Sequence, residues 1–138
     1  MKIVYSYYVL DIIHKGHILM MKAAKELAGP DGKSIIGILT DKATMEKKSR
    51  PILSFDERME IAEAIIYADI IVPQDTYSPL PNVKKIRPTI LMESASHTDE
   101  AIKEARKVMK ELGGEVFVMP YYPEQSSTNI KRRVKNNE

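Results

Sequence analysis

The alternation of strand-like and helix-like segments is the feature that most constrains the fold of this 138-residue chain. Short runs rich in Ile, Val and Tyr alternate with segments whose apolar residues recur at helical spacing. Parallel strands need a crossover connection between them, and a helix is the usual one. We therefore expect one α/β, Rossmann-like domain over residues 1–138, with five parallel strands in the order 3-2-1-4-5 and helices on both faces. The predicted strands are 2–9, 34–39, 69–72, 88–92 and 115–118, and the predicted helices are 16–28, one from residue 54, 98–112 and one from about residue 126 or 127.

Local signals mark the ends of two of these helices. Gly29-Pro30 stops the first helix, because neither residue continues a helix readily. Ser54 and Glu57 have the spacing of a capping box, in which each side chain binds the other residue's backbone N–H. The apolar positions that follow, as far as Ile66, predict one buried helix face.

The composition excludes several classes of protein. The formal net charge of +2 is too small to indicate nucleic-acid binding by charge alone. The chain has no cysteine, which excludes disulfides and thiolate metal sites, and it has no apolar span of about twenty residues. The basic residues at 131–135 are typical of the polar face of a terminal helix, not of an RNA site. We therefore expect a cytoplasmic protein that binds neither nucleic acid nor a membrane.

Two histidines flank a glycine directly after the first predicted strand. His14, Gly16 and His17 lie where the first helix begins, with Asp11 just before them. A helix N-terminus attracts phosphate, and imidazole N–H groups can stabilise charge that develops on phosphate oxygens. Two alternatives remain open, a zinc-binding pair and purely structural histidines. Asp11 can bind a metal or the acceptor, or it can cap the helix.

Two other nucleotide-binding motifs are excluded by spacing. Gly32-Lys33-Ser34 looks like the end of a P-loop, but the position of its first glycine is occupied by Leu27, and the segment precedes a strand. No Gly-x-Gly-x-x-Gly follows the first strand, which argues against a dinucleotide-binding site.

The histidine segment carries a family resemblance. His14-Lys15-Gly16-His17 after a strand resembles the signature of the cytidylyltransferase-like nucleotidyltransferases, and Glu57-Arg58 and Ser126-Ser127-Thr128 match two further family segments. Residues 37–43, 50–51, 72–75, 81–88 and 120–121 are similar to the cytidylyltransferases found with phosphoenolpyruvate mutase in phosphonate biosynthesis.

The resemblance implies an activity. It implies transfer of CMP from CTP to a small phosphonate or phosphate ester with release of pyrophosphate, assisted by Mg²⁺, in a protein that can form a homodimer. An adenylyltransferase that uses ATP and a non-catalytic nucleotide-binding domain are the alternatives.

The same resemblance, together with position in the predicted sheet, assigns candidate site residues. For catalysis we expect His14, His17 and Lys47, with Lys42, Lys48 and Arg50 as rival phosphate-binding cations. Arg58 can reach the pocket or form a surface ion pair. The nucleotide-binding candidates are Gly16, Lys42, Glu93, Ser126, Ser127 and Thr128; the acceptor-binding candidates are Asp11, Tyr8 and His97; the metal-binding candidate is Asp11.

Three segments depart from the family pattern. Residues 7–10 replace a turn in which relatives usually carry glycine and a small residue, and residues 93–97 replace a segment that often holds tryptophan. Tyr121 stands where relatives often have arginine. Strand geometry points Tyr7 and Tyr8 to opposite faces, so we expect only one of them to line the site.

Overall fold

The computed structural model describes residues 1–120 and 127–136, and its central element is a five-stranded parallel sheet. The strands are β1 (Ile3–Tyr8), β2 (Lys33–Leu39), β3 (Ile70–Gln74), β4 (Ile90–Ser94) and β5 (Glu115–Met119). The helices are α1 (Lys15–Ala28), α2 (Asp41–Met45), α3 (Phe55–Glu63), α4 (Leu80–Ile86), α5 (Asp99–Glu111) and α6 (Ser127–Asn136). The strands lie in the order β3-β2-β1-β4-β5, which confirms the predicted Rossmann-like topology.

The central strand β1 distributes its side chains between the two faces of the sheet. Val4 and Tyr8 belong to apolar clusters formed with α1 and α3. Tyr5 belongs to the cluster on the other face, which includes residues of α4 and α5. This alternation follows from the two-residue period of a strand, and it buries both faces of β1.

Gly37 on β2 leaves room for the side chain of Tyr5, which extends from β1 across the face of β2. A Cβ atom at position 37 would lie 2.0 Å from the Tyr5 hydroxyl oxygen, so no larger residue fits without a shift. The hydroxyl donates to Gln74 Oε1 at 2.6 Å and accepts from Asn82 Nδ2 at 2.9 Å. A buried polar network thereby joins β1, the end of β3 and α4.

The elements differ from prediction in length and number. The capping box of Ser54 and Glu57 is confirmed, because each side chain accepts from the other residue's N–H. The helix it begins ends at Glu63, so the assignment of Ile66 to its buried face is wrong, and Ile66 is 84% exposed. Helices α2 and α4 were not predicted, since five and seven residues are too short for a clear apolar period.

The strand order reverses between β1 and β4, and this opens a crevice beyond their carboxyl ends. The chain leaves β1 through Leu10, whose φ of 60° is left-handed and whose side chain is 1% exposed. The resemblance places glycine in this turn, and the left-handed backbone supplies the reason. Here burial of the leucine side chain offsets a strain of about 1 kcal/mol. Among the described residues, no helix is long and apolar enough to span a membrane.

Candidate functional site

The crevice forms a cleft of about 800 Å³, a size typical of small-molecule sites. One wall consists of residues from the start of α1 and from α6, and the opposite wall comes from β4 and the loop after β3. The site residues predicted from the sequence that line it are Tyr8, Asp11, His14, Gly16, His17, His97 and Thr128.

His14 and His17 form a reciprocal cap at the start of α1. The Gly16 N–H donates to His14 Nδ1 at 3.0 Å, and the His14 N–H donates to His17 Nδ1 at 3.1 Å. The two rings contact each other, with centroids 3.9 Å apart. Asp11 does not cap the helix, so that alternative is wrong: the cap is the imidazole of His14.

These hydrogen bonds determine the tautomer of both rings. A nitrogen that accepts from a backbone N–H carries no proton, so in each neutral ring the proton is on Nε2. Burial lowers the pKa of His14, and burial, with His14 and Lys48 nearby, lowers the pKa of His17 to about 3. Both rings are therefore neutral near pH 7 and present Nε2–H donors, which suits them to contact phosphate oxygens. No group of three metal-ligating side chains lies together in the described part of the chain, which disfavours the zinc alternative.

Asp11 is buried behind the cleft surface and joins three segments. Its carboxylate accepts the N–H groups of Ile52 at 2.9 Å and Leu53 at 2.8 Å, and it pairs with Lys131 of α6. Burial opposes ionisation of Asp11, but the bonds from Leu53, Lys131 and Ile52 together lower its pKa below the ordinary value. Three of the roughly four acceptor positions of the carboxylate are thus used, so Asp11 can give magnesium at most one ligand. Its roles toward metal and acceptor stay predictions.

Among the rival cations Lys42, Lys47, Lys48 and Arg50, Lys48 lines the cleft. Lys47, the predicted catalytic lysine, is exposed, and its ammonium lies over the Tyr77 ring, 5.4 Å from the centroid. Lys42 is also exposed and outside the cleft lining. Burial and the nearby Lys131 lower the pKa of Lys48. Of the four rival cations, Lys48 is therefore the one that lines the cleft, and the catalytic role of Lys47 stays a prediction.

Lys131 is a cleft residue that the sequence analysis assigned to a solvated helix face. Its side chain is 33% exposed and pairs with Asp11, 120 positions earlier in the chain. Thr128 also lines the cleft, about one helical turn before Lys131. That spacing is the signal that could have identified Lys131. Ser126 lies outside the described residues, and so does the side chain of Ser127, the first residue of α6.

Arg58 holds the base of the cleft together and is fully buried. It donates to the carbonyl oxygens of Val9 and Leu39 at 2.7 Å each, to that of Leu53 at 3.3 Å, and to the Asp41 carboxylate at 2.7 Å. Both earlier interpretations of Arg58, a pocket contact and a surface ion pair, are wrong. The guanidinium instead ties the ends of β1 and β2 to the loop that precedes α3.

The opposite wall contains a cluster of Tyr7, Glu93 and His97. Glu93 is 2% exposed, and its Oε2 atom lies 2.7 Å from the Tyr7 hydroxyl and 2.5 Å from His97 Nδ1. Burial and the adjacent Glu93 raise the pKa of Tyr7, so its hydroxyl keeps its proton. Tyr7 and Tyr8 both line the cleft, so the expectation that only one would do so is wrong. The cleft extends over the end of β1 and reaches both faces of the sheet.

Comparison with known proteins gives matches along most of the chain. The model of the family described as cytidylyltransferase-like matches residues 9–133. The FAD synthase of Korarchaeum cryptofilum is 32% identical over 126 residues, which cover 90% of this chain and 85% of that protein. The bifunctional protein HldE of Gluconobacter oxydans is 26% identical over 137 residues, 98% of this chain and 28% of HldE. The chain spans about a quarter of the length of the HldE relatives.

Solved structures share the fold. The lipopolysaccharide core biosynthesis protein from Thermoplasma volcanium superposes with a TM-score of 0.73 at 22% identity, covering 91% of this chain and 99% of that one. A protein of unknown function from Archaeoglobus fulgidus has a TM-score of 0.67 at 22% identity, covering 92% and 93%. At this identity the likeness supports the topology of the sheet and carries no assignment of substrate.

Proposed function

The chain belongs to the cytidylyltransferase-like family of nucleotidyltransferases, and on this premise we propose that it transfers CMP from CTP to a small phosphonate or phosphate ester. An oxygen of the acceptor attacks the α-phosphorus of CTP, and the bond from that phosphorus to the bridging oxygen of the leaving pyrophosphate breaks. The attacking oxygen already carries negative charge at neutral pH. The reaction therefore needs alignment and charge stabilisation, and no general base.

The pair of neutral histidines carries this proposal. Backbone N–H groups occupy both Nδ1 atoms, so each ring offers Nε2–H to the cleft without any proton transfer. Such donors are preorganised, because the cap of α1 holds them before substrate binds. Neutral donors can form stronger hydrogen bonds as negative charge develops on the leaving pyrophosphate. They also bind the pyrophosphate product less tightly than two cations would.

Two lysines supply positive charge, which the neutral histidines do not. Lys48 and Lys131 lie near each other in the cleft wall, and Asp11 pairs with Lys131. An incoming triphosphate would relieve the repulsion between the two ammonium groups. Magnesium, held by the nucleotide phosphates and at most one Asp11 position, would neutralise further charge on the triphosphate.

One observation favours a second candidate, adenylyl transfer from ATP. One relative, of which the match covers 85%, is named FAD synthase, and the FAD in that name contains an adenine nucleotide. The phosphonate acceptor and the use of CTP rest on the segments quoted in the sequence analysis. A homodimer rests on the resemblance too, and light scattering in solution tests it.

Pyrophosphate release is the assay that tests the proposal. CTP and ATP are each combined with magnesium and with 2-aminoethylphosphonate, 2-hydroxyethylphosphonate, glycerol phosphate, phosphocholine or phosphoethanolamine. We expect turnover with CTP and a phosphonate. Turnover with ATP but not CTP would replace the cytidylyl assignment by the second candidate. Nucleotide binding without turnover would favour a non-catalytic domain.

Two variants separate the proposed chemistry from the helix cap. Asparagine at 14 and glutamine at 17 can still accept the two backbone N–H groups, because both types are good residues at the N-cap and N3 positions. His14→Asn and His17→Gln replace the Nε2–H groups by amide N–H groups in a different position, and each should lower kcat about a hundredfold. Unchanged thermal unfolding is the control for the fold. A loss below about threefold in both variants would contradict the role of the histidines.

A further inference from the structure

The wall opposite His14 and His17 holds a third histidine, His97, which also contacts its partner through Nδ1. His97 contacts the buried Glu93 carboxylate through Nδ1 at 2.5 Å, and its ring stacks on Tyr7 with centroids 5.6 Å apart. The side chain of His97 is 26% exposed, and the residue lines the cleft. The carboxylate and the tyrosine ring thus hold the imidazole in one position at the cleft surface.

The hydrogen-bond inventory of this cluster determines which nitrogen carries the proton. The Tyr7 hydroxyl has one proton, and its 2.7 Å contact to Glu93 is shorter than its 3.2 Å contact to His97 Nδ1. An ionised carboxylate can only accept, so the 2.5 Å contact requires a proton on Nδ1. A neutral His97 ring then has a lone pair on Nε2. This tautomer is the opposite of the one at His14 and His17.

We propose that His97 is a specificity-determining residue that accepts, through Nε2, a hydrogen bond from a hydroxyl group of a bound substrate. Glu93 and Tyr7 are positioning residues, because they act on the substrate only through the His97 ring. This assignment revises the predicted contact of Glu93 with the nucleotide, since the carboxylate is buried behind the ring. The inference rests on the proposed nucleotidyl transfer and concerns the same cleft.

A hydroxyl group can reach this wall from two sources. One is the ribose of the nucleotide, and the other is an acceptor such as 2-hydroxyethylphosphonate. Both sources offer the same O–H donor to Nε2. A bound analogue without that hydroxyl would leave Nε2 without a donor, which costs binding free energy. A site of this kind discriminates against analogues that lack the hydroxyl more strongly than an apolar wall can.

Imidazole ¹⁵N NMR tests the tautomer without any turnover. The whole chain contains three histidines, so each ring can be assigned by its single variant. We expect His97 to carry its proton on Nδ1, and His14 and His17 to carry theirs on Nε2. Addition of the hydroxyl-bearing substrate should shift the Nε2 resonance of His97. A His97 ring protonated on Nε2 and unprotonated on Nδ1 would overturn the inference.

Kinetics with matched variants tests the contact. His97→Phe keeps a ring on Tyr7 and removes both nitrogens, and Tyr7→Phe removes the donor to Glu93. Tyr67→Phe is the control, because it also deletes a hydroxyl from a partly buried tyrosine but lies outside the cleft lining. We expect His97→Phe to raise KM for the hydroxyl-bearing substrate about tenfold, with kcat little changed. Tyr7→Phe should raise the same KM by a smaller factor, and Tyr67→Phe should leave it unchanged.

Analogues identify the source of the hydroxyl. The analogues 2′-deoxy-CTP, 3′-deoxy-CTP and ethylphosphonate each lack one candidate hydroxyl. Wild type and His97→Phe should have equal KM values for the analogue that lacks the hydroxyl bound by His97. Equal KM values of the two proteins for all intact substrates would refute the role of His97 while leaving the proposed function in place. Absence of turnover in wild type would contradict the proposed function, and the NMR experiment with CTP would still test the tautomer and the contact.

Discussion

Arg58→Met should destabilise the fold by about 3 kcal/mol, because it removes a buried guanidinium and leaves its hydrogen-bond acceptors without a donor. The side chain is 0% exposed and donates to the Val9, Leu39 and Leu53 carbonyl oxygens and to Asp41. Removal of one partner of a buried ion pair costs about 3–5 kcal/mol. We expect the lower end of that range, since the Asp41 side chain is 31% exposed and water can reach it. Methionine keeps much of the apolar length, so cavity formation adds little.

Urea unfolding measures this change, and Arg50→Met is its control. Arg50 faces the same Asp41 carboxylate at 3.7 Å, but its side chain is 75% exposed, so its loss should cost less than about 0.5 kcal/mol. In thermal unfolding, Arg58→Met should lower Tm by on the order of 10 °C. If the two variants differ by less than about 1 kcal/mol, the carbonyl contacts of Arg58 do not stabilise the fold, and this account of the cleft base is refuted.

Three further predictions follow from the geometry. Burial lowers the pKa of His17 to about 3, so the native state stays neutral where the unfolded chain binds a proton, and stability should fall as pH drops from about 6.5 toward 3. His17 should contribute roughly 1 kcal/mol per pH unit to this fall, so the slope should become smaller in His17→Gln when urea unfolding is repeated across that range, and an unchanged slope would contradict the shift. Gly37→Ala should cost about 1–3 kcal/mol in urea unfolding, and Tyr5→Phe should recover part of it, because the clash is with the Tyr5 hydroxyl; no recovery would place the clash elsewhere. Lys48→Ala should reduce pyrophosphate release more than Lys47→Ala does, and the reverse order would return the phosphate role to Lys47.

The sheet topology and the position of the cleft could be predicted because their signals are local. A strand or helix of moderate length shows its period in its own residues, and a cap such as that of Ser54 and Glu57 spans only four positions. The histidine pair was likewise found from its place between β1 and α1. The short helices α2 and α4 escaped prediction, since fewer than two helical turns contain too few apolar positions to establish a period.

The roles of the charged residues could not be predicted in the same way. Lys47 and Lys48 are neighbours in sequence, and only the turn at the end of α2 decides which one enters the cleft. The sequence also left the role of Arg58 open between a pocket contact and a surface ion pair, because nothing local shows that the ends of two strands need a hydrogen-bond donor. In the folded chain the carbonyl oxygens of Val9, Leu39 and Leu53 converge on the Arg58 guanidinium, which can donate to several acceptors at once.

The sequence by itself determined the α/β alternation, the position of two histidines in the turn after β1 and the family of the chain. Tertiary structure decided the protonation pattern of the site, since it depends on which atoms face each imidazole. His14 and His17 meet backbone N–H groups within the same helical turn, whereas His97 meets the buried carboxylate of Glu93 and the ring of Tyr7, 90 positions away. Asp11 likewise acquires its partners from loops 41 and 42 positions away. The contact of His97 with Tyr7 and the hydrogen bonds of Asp11 form only after the sheet has brought distant segments together, because their geometry is set by packing and not by neighbours in sequence.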